Sequence, residues 1–175
     1  FLMRHKNFIF FISFFFFLNA QEDLPYQYPP EEILELIDVA LPPRVLIDEK
    51  KEYMVYLYRD NYKTIEQLSE KELRLAGLRI NPKKNIGSRI SYYSNLKISL
   101  ISDEDSNIIN VKGLPKNPQI SNIKWSPDQN MIAMTNTTKK GVELWVLDLK
   151  KAKIKKIVGP RLNANLGSVF SWYKD

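Results

Sequence analysis

With 175 residues and 44% hydrophobic content, the chain is long enough for one domain with a core, and it is not a disordered composition. It contains no cysteine, which excludes a structural disulfide and the lipid-modified cysteine of bacterial lipoproteins. The formal charge of +6 falls to +4 without residues 1–20, which hold Arg4 and Lys6 and no acid, and a charge this mild does not mark a nucleic-acid partner, so none is expected.

The first twenty residues are a separate object, because they hold eight of the nine phenylalanines. Met3-Arg4-His5-Lys6 is a short basic start, Phe8 to Leu18 is an apolar run broken only by Ser13, and Leu18-Asn19-Ala20 ends on a small residue. This is the three-part pattern of a secretory signal peptide over residues 1–20, which predicts an exported, periplasmic or extracellular product. An uncleaved anchor would need about 20 apolar residues. This run is shorter and is followed at once by Gln21-Glu22-Asp23, so no stable membrane span is expected after cleavage. Phe1 and Leu2 precede the first methionine, so the numbered start is not expected to be the biological one.

Residues 21–43 form a Pro-rich lead-in with a short helix. Pro30 suits a first helical turn, Glu31 and Glu32 suit its dipole, and Ile33, Leu34, Leu36 and Ile37 give it an apolar side. Leu41-Pro42-Pro43 stops it. Arg44 to Ile47 and Tyr53 to Arg59 then predict a hairpin around the charged turn Asp48 to Glu52. A helical insertion is expected over about 64–77, because Thr64 with Gln67 and Ser69 with Glu72 have capping-box spacing, with Leu68, Leu73 and Leu75 available for burial and Gly77 at the end. Short strands are predicted from there: Leu96 to Ser102, Asn107 to Lys112, Ile120 to Trp125, Met131 to Thr137, Val142 to Leu149 and Ile154 to Val158. Polar turns separate them, so the expected architecture is antiparallel all-β.

Self-comparison exposes a repeat. Trp125-Ser126-Pro127-Asp128 restarts as Trp172 to Asp175, and the 47 residues from Trp125 to Trp172 are about the length of one β-propeller blade. A degenerate earlier copy is Ile47-Asp48-Glu49-Lys50, with Lys50 in the place of Asp128. Gln129 stands where such turns usually carry glycine. Each unit reads as a strand, a tight turn preset by proline, then an apolar strand. Four strands make a blade, and blades must stack to bury their faces. The chain is therefore expected to hold the first blades of an incomplete β-propeller over residues 44–175.

Trp-Ser-Pro-Asp repeats resemble the propellers of the prolyl oligopeptidase family and of bacterial translocation-associated proteins. Glu72 to Pro82, Ser88 to Tyr93, Gly141-Val142-Glu143-Leu144-Trp145-Val146 and Gly159 to Ala164 resemble the N-terminal region of its glutamyl endopeptidase-like members. The resemblance implies a serine peptidase with a peptide substrate, in which a propeller screens access to a C-terminal α/β-hydrolase domain that this chain lacks. A non-catalytic periplasmic propeller that binds protein partners is the alternative.

The family's catalysis uses a Ser-Asp-His triad. The one histidine, His5, lies in the predicted signal segment, and there is no Gly-x-Ser-x-Gly elbow, so no catalytic residue is assigned. No cofactor-binding or metal-binding residue is assigned either, since zinc sites lean on His and Cys and no Gly-rich phosphate loop is present. Asp103-Glu104-Asp105 lacks the ligand spacing of a calcium loop and reads as a solvated turn. Lys150, Lys151, Lys153, Lys155 and Lys156 read as a hairpin tip, with an anionic partner as the alternative. Trp125, Trp145 and Trp172 are expected to pack between blades, although aromatic faces can also line a propeller tunnel. Arg74, Arg79 and Arg161 are cations that could pair with a substrate carboxylate or with structural acids.

Overall fold

The computed structural model describes residues 27–102 and 107–173. The predicted signal segment, with His5, and the acidic run Asp103-Glu104-Asp105 lie outside the described residues. The chain divides into two units, Phe1–Val39 and Ala40–Asp175.

In the first unit, α1 (Glu31–Ile37) starts on Pro30, whose carbonyl accepts from the Ile33 and Leu34 amides. Pro30 is the N-cap rather than a first-turn residue. The helix forms where its acids and proline predict it, yet the expected apolar side is uncovered: none of its residues is buried.

The second unit is mostly β. Strands β1 (Arg44–Ile47), β2 (Tyr53–Tyr58), β6 (Asn95–Leu100) and β7 (Ile109–Asn110) form one four-stranded sheet in that spatial order. Strands β8 (Ile120–Trp125), β9 (Met131–Thr138), β10 (Gly141–Asp148) and β11 (Lys153–Leu162) form a second, in which each strand pairs with the next in the chain. Between β2 and β6 the chain runs out into helix α2 (Ile65–Leu68) and a small sheet of β3 (Leu73–Leu75), β4 (Leu78–Asn81) and β5 (Ile86–Gly87). The ladders between these strands are antiparallel.

The two larger sheets share one core. Val55, Leu57, Leu96 and Ile98 come from the first, and Ile120, Ile132, Met134, Leu147 and Ile154 from the second. Alternation along each strand supplies these residues to one face, and burying each such side chain is worth about 1.5–3 kcal/mol. β8 needs a correction to do this, because Ile120 and Ile123 are an odd number of residues apart and would face opposite ways in a regular strand. A bulge between Ser121 and Lys124, with Asn122 at φ 48°, adds the residue that brings Ile120, Ile123 and Trp125 to the same core.

The insertion differs from the helix expected over 64–77. Thr64 and Gln67 do form a reciprocal capping box, but Ser69 ends the helix as its C-cap, its amide donating to the Ile65 carbonyl. Glu72-Leu73-Arg74-Leu75 alternates charged and apolar residues with period two, and Ala76-Gly77 takes positive φ values of 45° and 86°, so the segment turns back as a tight hairpin instead. Leu68, Leu73 and Leu75 are accordingly exposed. At the other end, β11 outruns its predicted limit at Val158 by passing Gly159-Pro160 through bulges against β10, the kind of position where an edge strand tolerates proline.

Candidate functional site

The repeated turn joins two strands in each of the larger sheets, β1 to β2 and β8 to β9. In the copy between β8 and β9, the Ser126 amide donates to the Met131 carbonyl at 2.8 Å, and Ser126 Oγ accepts from the Met131 amide at 2.9 Å. Asp128 accepts from Ser126 Oγ at 2.6 Å and from the Asn130 amide at 3.2 Å. The Ser126 hydroxyl, with the Asn130 donors, holds the Asp128 carboxyl down at about 2.

The degenerate copy between β1 and β2 builds the same turn with different side chains. The Asp48 amide donates to the Tyr53 carbonyl at 3.3 Å, while Asp48 Oδ1 accepts from the Glu52 and Tyr53 amides, both at 2.8 Å. One carboxylate thus replaces both Ser126 and Asp128. Lys51 and Gln129, at the equivalent position, share the left-handed conformation with φ 58° and 59°. Gln129 occupies the usual glycine place because its side chain ties the copies together: Oε1 accepts from the Glu49 amide and Nε2 donates to the Ser126 carbonyl, each at 3.3 Å.

A cleft of about 1140 Å³ opens beside these sheets, lined by the Arg59–Gln67 loop, Tyr92, the Pro115–Gln119 loop and the Asn136–Lys139 end of the β9–β10 hairpin. Its floor includes Glu143, whose side chain is 9% exposed. Glu143 accepts from Trp145 Nε1 at 2.8 Å and pairs with Lys156 Nζ at 3.2 Å, and Lys156 sits 5.9 Å from the centre of the Trp145 ring. The wall is tied by Lys139 to Glu66 at 2.9 Å, and this pairing, led by the hydrogen bond, lowers the Glu66 carboxyl. Such a cleft can bind and orient a polar chain. Neither His nor Cys is among the described residues, so the ionisable groups that line the cleft are carboxylates, lysines, Arg59 and tyrosines.

A second cluster centres on Glu72, whose side chain is 16% exposed. Oε1 accepts from Arg74 Nε at 3.0 Å and Arg79 Nη1 at 2.9 Å; Oε2 accepts from Ser88 Oγ and from Arg89 Nε at 3.1 Å. The Ser88 hydroxyl first, then the three guanidiniums, hold the Glu72 carboxyl at about 2.

Of the residues singled out from sequence, Arg74 and Arg79 therefore meet on one structural acid, whereas Arg161 is exposed on β11 and joins neither cluster. The lysines divide: Lys151 pairs with Asp148 at 3.1 Å on the β10–β11 turn, and Lys156 reaches the cleft. Trp125 and Trp145 pack partly buried against the core, and Trp172 donates from Nε1 to the Lys124 carbonyl at 3.2 Å. Sequence reasoning missed Glu72, Arg89 and Ser88 as one cluster, and Glu143 as the hub of the cleft floor. The alternation of Glu72, Arg74 and Arg79 about an Ala-Gly turn was the signal for the first; Glu143 carried none.

Comparison with known proteins adds a relationship. The chain is distantly homologous to part of two plant peptidases. It is 27% identical over 137 residues to the probable chloroplastic glutamyl endopeptidase of Oryza sativa subsp. japonica, covering 73% of this chain and 14% of that protein. Its identity to the Arabidopsis thaliana protein of the same description is 28% over 132 residues, 71% of this chain and again 14% of the relative. No family model matches the chain, and no solved structure matches it.

Proposed function

We propose that this chain contributes two blades of the β-propeller of an exported serine peptidase of the prolyl oligopeptidase family, of the glutamyl endopeptidase-like kind. The observation that carries this reading is the pair of consecutive four-stranded antiparallel sheets, opened by equivalent turns at Asp48 and Ser126 and packed through one core, in a chain similar to glutamyl endopeptidases. Blades stacked in this way bury apolar faces that a single sheet would expose. In the intact enzyme the propeller would screen peptides by size and help to position them, while a hydrolase domain outside this chain would supply the serine, the acid and the histidine that carries the proton. The cleft beside Glu143 supports the positioning role through its mixed charges and the aromatic side chains Tyr62, Tyr92 and Trp145 that line it. Export is the reading of residues 1–20 and their signal-peptide pattern.

The test uses the full gene product, treated with a fluorophosphonate probe and with peptides that contain a single glutamate. Labelling of one serine and cleavage of the peptides are expected. A full product that takes up no probe and cleaves no peptide overturns the peptidase reading, and one found only in the cytoplasm with residues 1–20 intact overturns export.

A further inference from the structure

We propose that the open edge of β3 and the arginines around Glu72 form a docking site for an extended, acidic polypeptide segment. The proposal does not depend on the peptidase reading, because every group in it belongs to the insertion.

The cluster carries an excess of positive charge. Arg74 and Arg79 are direct cross-strand partners in the β3–β4 register, and like charges so placed repel. Glu72 holds them together and also takes Arg89, so one carboxylate faces three guanidiniums. Among the described residues no other acid pairs with these arginines, which leaves two positive charges uncompensated, and the three side chains are 71%, 43% and 66% exposed. Each guanidinium meets Glu72 through a single nitrogen although it carries five N–H donors in a fork suited to a second carboxylate.

The backbone beside the arginines also has groups to offer. Among the described residues β3 pairs with β4 alone, so its other edge is open. Leu75 and Leu78 flank the two-residue turn, which directs the amides and carbonyls of Leu73 and Leu75 toward β4 and those of Arg74 outward. An added strand would find main-chain partners at Arg74 and would set alternate side chains beside the arginines, while its other side chains would lie along exposed Leu73 and Leu75. An extended segment alternating glutamate with apolar residues fits both faces.

The experiment measures fluorescence anisotropy of labelled Val-Glu repeat peptides with the 175-residue chain, against the matched Val-Gln peptide, a Val-Glu peptide N-methylated at alternate amides, and inorganic polyphosphate of equal charge. The Val-Glu peptide is expected to bind at least tenfold more tightly than the Gln peptide, to lose at least fivefold on N-methylation, and to lose at least tenfold with the Arg74→Gln, Arg89→Gln double variant under conditions where its far-ultraviolet circular dichroism matches that of the unsubstituted chain. Equal binding of the Glu and Gln peptides overturns the proposal. So does polyphosphate binding as tight as the Val-Glu peptide together with indifference to N-methylation, since the cluster would then be a simple anion exchanger. The peptide comparisons use the unsubstituted protein and decide the matter even if the double variant does not fold.

Discussion

The turn residues carry the most specific physics in the chain. Gln129 accepts a left-handed backbone that glycine would adopt freely, and offsets the cost with two hydrogen bonds, one of which reaches Glu49 in the other turn. Gln129→Ala keeps the strain and removes both bonds, so it is expected to destabilise the fold by about 1–3 kcal/mol. Gln129→Gly recovers part of that loss by relieving the backbone, and urea denaturation of the pair should rank glycine above alanine. Asp128 and Glu72, both held at about 2, make a second residue-scale prediction. Their folded-state values lie below their ordinary values of 3.8 and 4.5, so their contribution is complete above about pH 4.5 and is lost as pH falls toward 2. Melting temperature should drop across that window, and the drop should be shallower in Asp128→Asn and Glu72→Gln. Sequence spacing revealed the turns as a repeat, but it did not reveal that Asp48 alone performs the work of Ser126 and Asp128. Different chemistry at the same backbone position leaves no shared letter to detect.

Among the elements, legibility followed how strongly period and turn chemistry agreed. β1 and β8 fall where the sequence places them, because each is bounded by proline on its N-terminal side and by a polar turn, at Asp48 or Ser126, on the other. The insertion misled because Ser69 and Glu72 have capping-box spacing, while the period-two alternation through Arg74 and the Ala76-Gly77 turn decided the outcome. The link from β7 to β8 makes a sharper demand. Gly113 has φ 89°, and a Cβ there would stand 2.7 Å from the Ile154 carbonyl oxygen, where Lys112 and Lys153 form a parallel bridge. Gly113→Ala therefore meets both backbone strain and a main-chain clash and is expected to cost about 2–4 kcal/mol, read from chemical denaturation. Nothing in the composition of Lys112-Gly113-Leu114 separates this glycine from an ordinary turn glycine.

For the molecule as a whole, one core joining two sheets predicts joint melting. Ile132 and Leu147 are fully buried on the second sheet and belong to the same cluster as Val55 and Leu57 on the first. Ile132→Ala is expected to destabilise by about 2–5 kcal/mol, and far-ultraviolet circular dichroism and tryptophan fluorescence should still report a single coincident transition at a lower temperature. Two separated transitions would mean that the sheets fold independently. The mostly β architecture and the pairing of neighbouring strands were legible from alternation and turns. The shared core was not, because nothing local in the sequence says which faces of two sheets meet.

The placement of the insertion has one more consequence. Arg59 and Ser94 are far apart in the chain, yet the Ser94 amide donates to the Tyr58 carbonyl at 2.8 Å, so β2 and β6 remain side by side whatever lies between them. The exposed Ala76-Gly77 tip lies at the far end of that excursion. A protease cutting there should leave a nicked protein whose two fragments elute together on gel filtration and separate only in detergent. Two pieces of polypeptide would then share one sheet, with each supplying strands the other needs.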